Sequence, residues 1–372
     1  MRFTIDKEQF VKGLTMVSKA IPQKTALPIL ANVKIELSHK GLELTGSDND
    51  MTIHTVVPYM IEEKEIIRNY QHGQVLIGNK IFLEIIRHLE GNEITVELID
   101  GSMLRVDDGK SNFTLNCIDA ENYPEIDLSP VGAVFELSSE LFTTLVDQTA
   151  FAASSKENRP ILTTVNLNAQ DGILTAAATD TARLARKQIE VDPDLRFVAN
   201  IPAKKLSDIV KSFEGTKNVS IAISDKKALF TFDNTTISTR LVNGDYPNIK
   251  GIVPRTFNYY LEVNAREFLS AMERVSLLSQ EHDGVVKLSM SDEGVEMFSR
   301  SSSVGTAREK LSMFRFEGER FDISFRASFV ADAIRAIKSE DVTISFIGEM
   351  KPFVVRNAKD DGLDMLVTPL RA

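Results

Sequence analysis

The sequence predicts an α+β protein made of three copies of one domain, each with two helices packed on antiparallel sheets. Three observations lead there. First, Asn122-Tyr123-Pro124-Glu125-Ile126 recurs as Asp245-Tyr246-Pro247-Asn248-Ile249, 123 residues on, and a third proline, Pro369, stands near the next multiple. Second, the segment Gly78–Gly91 is echoed in register by Pro202–Gly215 and more weakly by Arg326–Lys338. Third, strand patterns outnumber helix patterns, which are about two per repeat. That balance suits antiparallel sheets with helices on one face.

The elements follow in order. The first helices are expected to start near Asp6, Ser138 and Asn264. Phe10, Leu14, Val17 and Ile21 recur at helical spacing, as do Phe268, Met272 and Val275, so each helix has one buried face. Asn264 with Glu267 reads as a capping box. In the second helices, Phe82, Ile85, Ile86 and Leu89 form a stripe that Leu206, Ile209, Val210 and Phe213 repeat. Gly91 and Gly215 are expected to end these helices. Alternating strands follow at 94–98, 219–223 and 342–346. Turns are marked by Asp108-Gly109, Asp171-Gly172, Asp292-Glu293-Gly294 and Asp361-Gly362. Domain boundaries are expected just after the two Tyr-Pro motifs, giving 1–126, 127–250 and 251–372.

Composition narrows the function. A chain of 372 residues, 43% hydrophobic and 26% charged, is that of an ordinary soluble globular protein with room for three domains. One cysteine, Cys117, allows no internal disulfide and fits a reducing cytoplasm. Met1–Asp6 lacks the apolar core of a signal peptide, and no stretch approaches the ~20 apolar residues that span a membrane. A net charge of −10 opposes a nucleic-acid partner unless basic residues gather on one surface.

Catalytic and metal signatures are missing from the sequence. His39, His54, His72, His88 and His282 have no metal-ligand spacing, and one cysteine cannot build a zinc cluster; surface or structural roles are expected for all five. There is no nucleophile elbow, Walker A loop or dinucleotide fingerprint. Asp48-Asn49-Asp50 opens like a calcium loop, but Ile53 and Tyr59 stand where glycine and glutamate are required. Because Ser47-Asp48 and Thr179-Asp180 recur in two repeats, a structural turn is expected at both. No cofactor and no catalysis are expected.

A sharper pattern lies on the second helices. Arg87, Lys211 and Arg335 are spaced by 124 residues, and Lys80 and Lys204 form a second pair that Ser328 breaks. They lie opposite the apolar stripe. Either they present positive charge to a shared anion, or they make i,i+3 ion pairs with Glu84, Asp208 and Asp332, which recur with the same spacing. Both readings stand at this level. The tail Leu366–Ala372 is largely apolar, and Pro369 cannot join a strand ladder. Leu366 and Val367 are expected to close a sheet, and the residues beyond to line a groove.

These marks resemble the β subunit of bacterial DNA polymerase III, the sliding-clamp family, over the whole chain. The resemblance rests on Met1–Ile5, Leu27-Pro28-Ile29-Leu30, Arg159-Pro160-Ile161-Leu162-Thr163, Ala178-Thr179-Asp180-Thr181-Ala182-Arg183-Leu184, Asp245-Tyr246-Pro247 and Thr368-Pro369-Leu370-Arg371. It implies three clamp domains per chain and a head-to-tail homodimer ring around duplex DNA, helices inside and sheets outside. The function implied is that of a non-catalytic processivity factor. Its implied partners are the replicative polymerase, the clamp loader and repair proteins with clamp-binding peptides, and no membrane. DNA-facing positions implied are Lys24, Lys80, Arg87, Lys204, Lys211 and Arg335. The implied peptide pocket takes Leu162, Thr179, Thr181, Arg183, Leu184, Pro247, Ile252, Val253, Pro352, Leu366, Thr368, Pro369, Leu370 and Arg371. The chain departs from frequent family residues at Thr181-Ala182 (glycine, then histidine or tyrosine), Gly251 (arginine), Thr368 and Leu370 (methionines). Phe113, Leu277 and Leu278 match the implied dimer interface.

Two rival readings remain. A three-domain hydrolase or transferase would need acid, base or nucleophile groups clustered in one repeat. A protein-only scaffold would not need the recurring Arg87, Lys211 and Arg335.

Overall fold

The computed structural model describes residues 1–371 apart from Asp283, and of Gln280, Glu281 and His282 the backbone alone. The expectation for the His282 side chain lies outside the described residues. Each repeat runs strand, helix, three strands, and then the same again; between the halves the first repeat adds Met60–Ile61, Lys64–Glu65 and Ile67–Gln71, and the third adds Phe314–Glu317. The helices are α1 (Lys7–Ser18), α2 (Asn79–His88), α3 (Ser139–Asp147), α4 (Ala203–Val210), α5 (Ala265–Ser276) and α6 (Ala327–Ile337).

The chain divides into two compact units. One comprises Met1–Ser139 and Asp208–Leu241, the other Glu140–Ser207 and the chain from Val242 onward. Unit one has a five-stranded sheet, Asn112–Asn116, Met103–Asp107, Glu93–Ile99, Arg2–Asp6 and Ile67–Gln71 in spatial order. Its eight-stranded sheet runs from Ala133–Ser138 through Asn218–Ile223, Lys227–Phe232 and Thr235–Arg240. It continues without a break into Met51–Val57, Gly41–Ser47, Asn32–Ser38 and Gly73–Gly78. Strands of the first and central repeats therefore share one sheet, joined where Thr235 faces Thr55 and Ile237 faces Ile53.

Unit two repeats the device. Its nine-stranded sheet carries Phe197–Pro202, Thr164–Gln170, Ile173–Thr179 and Arg183–Glu190 of the central repeat. Leu363–Val367, Phe353–Arg356, Asp341–Phe346, Tyr259–Asn264 and Phe314–Glu317 of the third repeat follow. The join sets Leu184 against Leu366 and Arg186 against Asp364. A four-stranded sheet, Gly305–Lys310, Gly294–Ser301, Val285–Ser291 and Phe321–Arg326, completes the unit.

The helices pack as their periodicity requires. Phe10, Leu14 and Val17 of α1 are fully buried, and the Phe10 ring meets Phe3 and Phe82 edge-on at 6.0 and 5.9 Å. Asp6 caps α1 by accepting from Gln9 N at 3.1 Å, and Asn264 caps α5 by accepting from Glu267 N at 3.1 Å. The reciprocal half of the expected capping box is not made. Glu267 instead accepts from Ser312 N and Oγ and from Met313 N, which together hold its carboxyl below the ordinary range.

The expected glycine caps are also corrected. α2 ends at His88 and the chain leaves in extended conformation at Leu89; α4 ends at Val210, well before Gly215. Gly91 is needed for another reason: a Cβ there would lie 2.8 Å from the Asp108 carbonyl oxygen. Asp108 draws this turn in by accepting from the backbone of Glu90, Gly91, Lys110 and Ser111. Among the described residues, no helix is long and apolar enough to cross a membrane.

The Tyr-Pro motifs lie in the segments that link the repeats, after Asn112–Asn116 and after Thr235–Arg240. Tyr123 is buried with Leu30, Leu76 and Ala120, and Ile126 packs against them. Ile249, at the same place in the next motif, packs against Leu184, Val253 and Leu366 in the other unit. Burial pushes the Tyr123 and Tyr246 hydroxyls up to about 12.

Inside unit one, His54 faces Thr236 across the join. Its Nδ1 lies 3.0 Å from Thr45 Oγ1 and its Nε2 3.4 Å from Glu43. Burial holds its pKa below 6.5, against the pull of Glu43. The folded state thus prefers neutral His54, while the unfolded chain takes up the proton first as pH falls below about 6.5. Unit one is expected to lose stability as pH falls through that window. Urea unfolding at pH 5.5 and 7.5 should show it, with a smaller pH effect in His54→Gln; equal effects in both proteins would remove His54 as the cause.

Candidate functional site

The densest set of sequence-marked residues lies in unit two, at the turn 179–183 and the strands beside it. Thr179 Oγ1 accepts from Thr181 N at 3.1 Å and donates to the Arg183 carbonyl at 2.6 Å. Asp180 accepts from Ala182 N at 2.9 Å, Arg183 N at 3.0 Å and Arg183 Nε at 3.0 Å. The expected structural turn is present and is an Asx turn, and Asp48 makes its repeat, accepting from Asp50 N and Met51 N at 3.0 and 2.7 Å. Thr181 is held at φ +80°, a region that β-branched residues rarely enter.

From this turn the strand alternates. Arg183, only 13% exposed, donates to Asp332 of α6 at 2.7 Å and lies 4.5 Å over the Phe329 ring. Leu184 points to the other face. There it forms a buried cluster with Ala177, Val253, Val354 and Leu366, covered by Ile249 and Phe257. So the structure brings together Leu184, Val253 and Leu366, sets Arg183 on the opposite face, and buries Thr179 at the start of the turn and Leu162 in the short helix Pro160–Thr163. Ile252 is 47% exposed beside buried Val253, Pro247 is exposed and Pro352 half-buried.

The tail closes one side. The strand ends at Val367. Thr368 then donates through N and Oγ1 to the Ala182 carbonyl at 2.9 and 2.8 Å, and Leu370 N donates to the Ser324 carbonyl at 2.7 Å. Thr368, Pro369 and Leu370 are half-buried and Arg371 is exposed. Ile249, Phe257, Val354 and Ala177 escaped the sequence reading. Ile249 had a usable signal, since it stands two residues after the Tyr-Pro proline, as Ile126 does.

The basic helix positions divide into two kinds. Arg87–Glu84, Lys211–Asp208 and Arg335–Asp332 make the i,i+3 pairs at 3.3, 3.2 and 3.7 Å. Arg335 also reaches Glu273 at 2.6 Å, and Arg87 reaches Thr15 at 3.1 Å. Lys24, Lys80 and Lys204 are exposed and make no ion pair among the described residues. His39, His72 and His88 are exposed, whereas His54 is structural. Burial raises the Cys117 thiol. Among the described residues, no three His, Cys, Asp or Glu side chains gather closely enough to hold a metal ion.

Among the strands that end their sheets are Asn112–Asn116 in unit one and Gly305–Lys310 in unit two. Phe113 on the first is 38% exposed, and Leu277, at the end of α5, is 64% exposed. Leu278 is half-buried.

Comparison with known proteins agrees along the full length. Residues 1–127, 136–248 and 250–371 match the N-terminal, central and C-terminal domains described for the DNA polymerase III beta subunit. The beta sliding clamp of Bacillus subtilis strain 168 is 33% identical over 376 residues, covering all of both chains. That of Halalkalibacterium halodurans is 34% identical over 378 residues, again covering both completely. The crystal structure of the Bacillus subtilis DNA polymerase sliding clamp superposes with a TM-score of 0.96 at 33% identity, covering 100% of this chain and 99% of that one. The DNA polymerase III beta chain of Streptococcus pneumoniae TIGR4 also superposes at 0.96, with 31% identity and full coverage of both. With the repeat, the shared sheets and these matches, the chain belongs to the DNA polymerase III β-subunit family, the three-domain β sliding clamps, which are non-catalytic processivity factors of DNA polymerase.

Proposed function

We propose that two chains close head to tail into a ring around duplex DNA and that each chain holds partner peptides in the pocket at the Leu184–Leu366 join. One observation carries the ring. Strand Asn112–Asn116 is the repeat-mate of Thr235–Arg240 and Leu363–Val367, while Gly305–Lys310 is the repeat-mate of Met51–Val57 and Arg183–Glu190. Those mates pair with each other twice inside the chain. The third pairing of this kind has its two edges exposed, so a second copy supplies the missing strand. The domains run 1–126, 127–250 and 251–372, supported by the matched stretches. The protein acts in the cytoplasm, with the replicative polymerase, the clamp loader and repair proteins as partners.

The DNA-facing groups are Lys24, Lys80, Arg87, Lys204, Lys211 and Arg335. Retention on DNA tests the reading: the loaded protein should stay on nicked circular DNA and leave when the circle is cut. Replacing Lys24, Lys80 and Lys204 with alanine should flatten the salt dependence of binding by about one slope unit per lost contact, without altering sequence preference. Loss from circular and linear DNA at the same rate would reject encirclement, and an unchanged slope would reject these lysines.

The dimer reading gives a second outcome. Phe113→Ala/Leu277→Ala should shift sedimentation toward monomer, since burying each such side chain contributes about 1.5–3 kcal/mol. Neither side chain belongs to a buried core, so the melting temperature of the monomer should hold. A dimer as tight as wild type would reject this interface.

The pocket reading gives a third. Truncation after Val367 removes Thr368, Pro369 and Leu370 from the pocket wall and should abolish binding of a short peptide with Leu and Phe anchors in calorimetric titration. The dimer should survive, because its edges lie elsewhere. Equal affinity in both proteins would move the site away from the tail.

A further inference from the structure

Beyond the apolar cluster, the same sheet face turns polar in a single step. Across three adjacent strands, Leu184, Leu366 and Val354 form one buried row. Two residues along each strand, about 7 Å away, the next row on that face is Arg186, Asp364 and Arg356. Asp364 is shared. Arg186 Nε meets its Oδ2 at 3.1 Å, and Arg356 Nε and Nη2 meet its Oδ1 at 3.1 and 2.7 Å. The Asp364 side chain is 9% exposed, those of Arg186 and Arg356 23% and 34%. The Arg356 guanidinium also rests 5.4 Å over the Phe257 ring.

This row is one wall of a cleft of about 450 Å³. Val253 lines the cleft and is also a member of the apolar cluster, so the two spaces share a wall. Arg255, Tyr260 and Ser345 complete the opening. The other lining charges are Arg255, Asp360 and Asp361, and Lys187 from outside the lining neutralises Asp360 at 2.6 Å. Arg255 and Asp361 cancel in the charge count of the lining. What remains is two guanidiniums on one carboxylate, an excess of one positive charge. Part-buried excess charge favours an anion that completes it, and planar guanidiniums with unused N–H groups favour a carboxylate.

We infer that the cleft is a second subsite for the partner peptide, and that it takes an acidic side chain within three or four residues of the apolar anchors. This rests on the pocket reading above and adds to it a rule for partner choice. The row selects partners by charge, where the apolar cluster selects by shape.

The test uses the full-length protein and about ten-residue peptides with Leu and Phe anchors. The anchors are flanked on one side or the other by Glu-Glu or by Gln-Gln. Affinity is measured by fluorescence anisotropy at two salt concentrations. Wild type should prefer one Glu-Glu peptide over its Gln-Gln twin by about tenfold, less at high salt. Arg186→Gln/Asp364→Asn/Arg356→Gln neutralises the whole row without orphaning a buried charge, and it should bring that ratio to near one. Because the readout is a ratio between peptides, a modest loss of stability leaves it intact. Arg186→Lys should restore part of the preference lost in Arg186→Gln. Equal binding of both twins by wild type, or a preference that persists in the neutral row, overturns the subsite while leaving the apolar pocket standing. If no anchored peptide binds wild type at all, the pocket reading falls and the subsite falls with it.

Discussion

Antiparallel pairing between edge strands of neighbouring repeats is the constraint on which the rest depends. An exposed strand edge leaves a row of backbone donors and acceptors that must find partners. This chain meets the requirement twice by joining one repeat's sheet to the next, at Ile237 with Ile53 and at Leu184 with Leu366. The proposed pocket is a consequence of the second join. Leu184 comes from the central repeat and Leu366 and Val354 from the third, so neither repeat alone contains the apolar row. The first join has similar strands but a different end. There the chain runs on past Arg240, with Leu241 N bound to the Lys226 carbonyl. At the second join Thr368 and Leu370 fold back onto Ala182 and Ser324, and in the proposed pocket they become wall.

The ion pairs on the helix faces bear on how such a protein could hold DNA yet move along it. Arg87, Lys211 and Arg335 each sit beside a carboxylate three residues earlier. Exposed pairs of this kind contribute about 0–1 kcal/mol, so exchanging a carboxylate for a phosphate changes little in free energy. That makes each contact replaceable by the next phosphate along the duplex. A net charge of −10 works in the same direction, opposing tight adhesion to a polyanion. In the proposed ring, residence on DNA then rests on closure rather than on contact strength. Under this proposal the three lysines without ion pairs supply most of the direct attraction.

What could be read from the sequence was local. Helix faces and N-caps were legible because Phe10, Leu14 and Val17 keep the helical period and because Asp6 and Asn264 sit one residue ahead of it. The glycine stops misled, since Gly91 answers to a close approach of Asp108 across the turn, which periodicity cannot reveal. Strands that lead into helices, such as Gly73–Gly78 and Phe197–Pro202, were overlooked because they are short and run straight into the helix pattern. The pocket motif read as one block of sequence. In the structure its period of two sends Arg183 to Asp332 and Leu184 to Leu366, on opposite faces. The Arg186–Asp364 pair was beyond reach, for its partners stand 178 residues apart and meet only through the join.

Thr181 links these themes. Its repeat-mate Asn49 has φ +79°, a conformation that asparagine tolerates through its short polar side chain. Thr181 adopts +80° with a branched Cβ, at a cost of about 1–2 kcal/mol. Such a conformation persists only where neighbours over-determine it, and here they do. Thr179 and Asp180 bind the turn from before it, and Thr368 binds the Ala182 carbonyl from the far end of the chain. A turn fixed from both sides does not have to be ordered when a partner arrives. For the short, disordered peptide of the proposed pocket, whose own ordering already consumes much of the available binding energy, a rim that is rigid in advance would make modest apolar anchors sufficient.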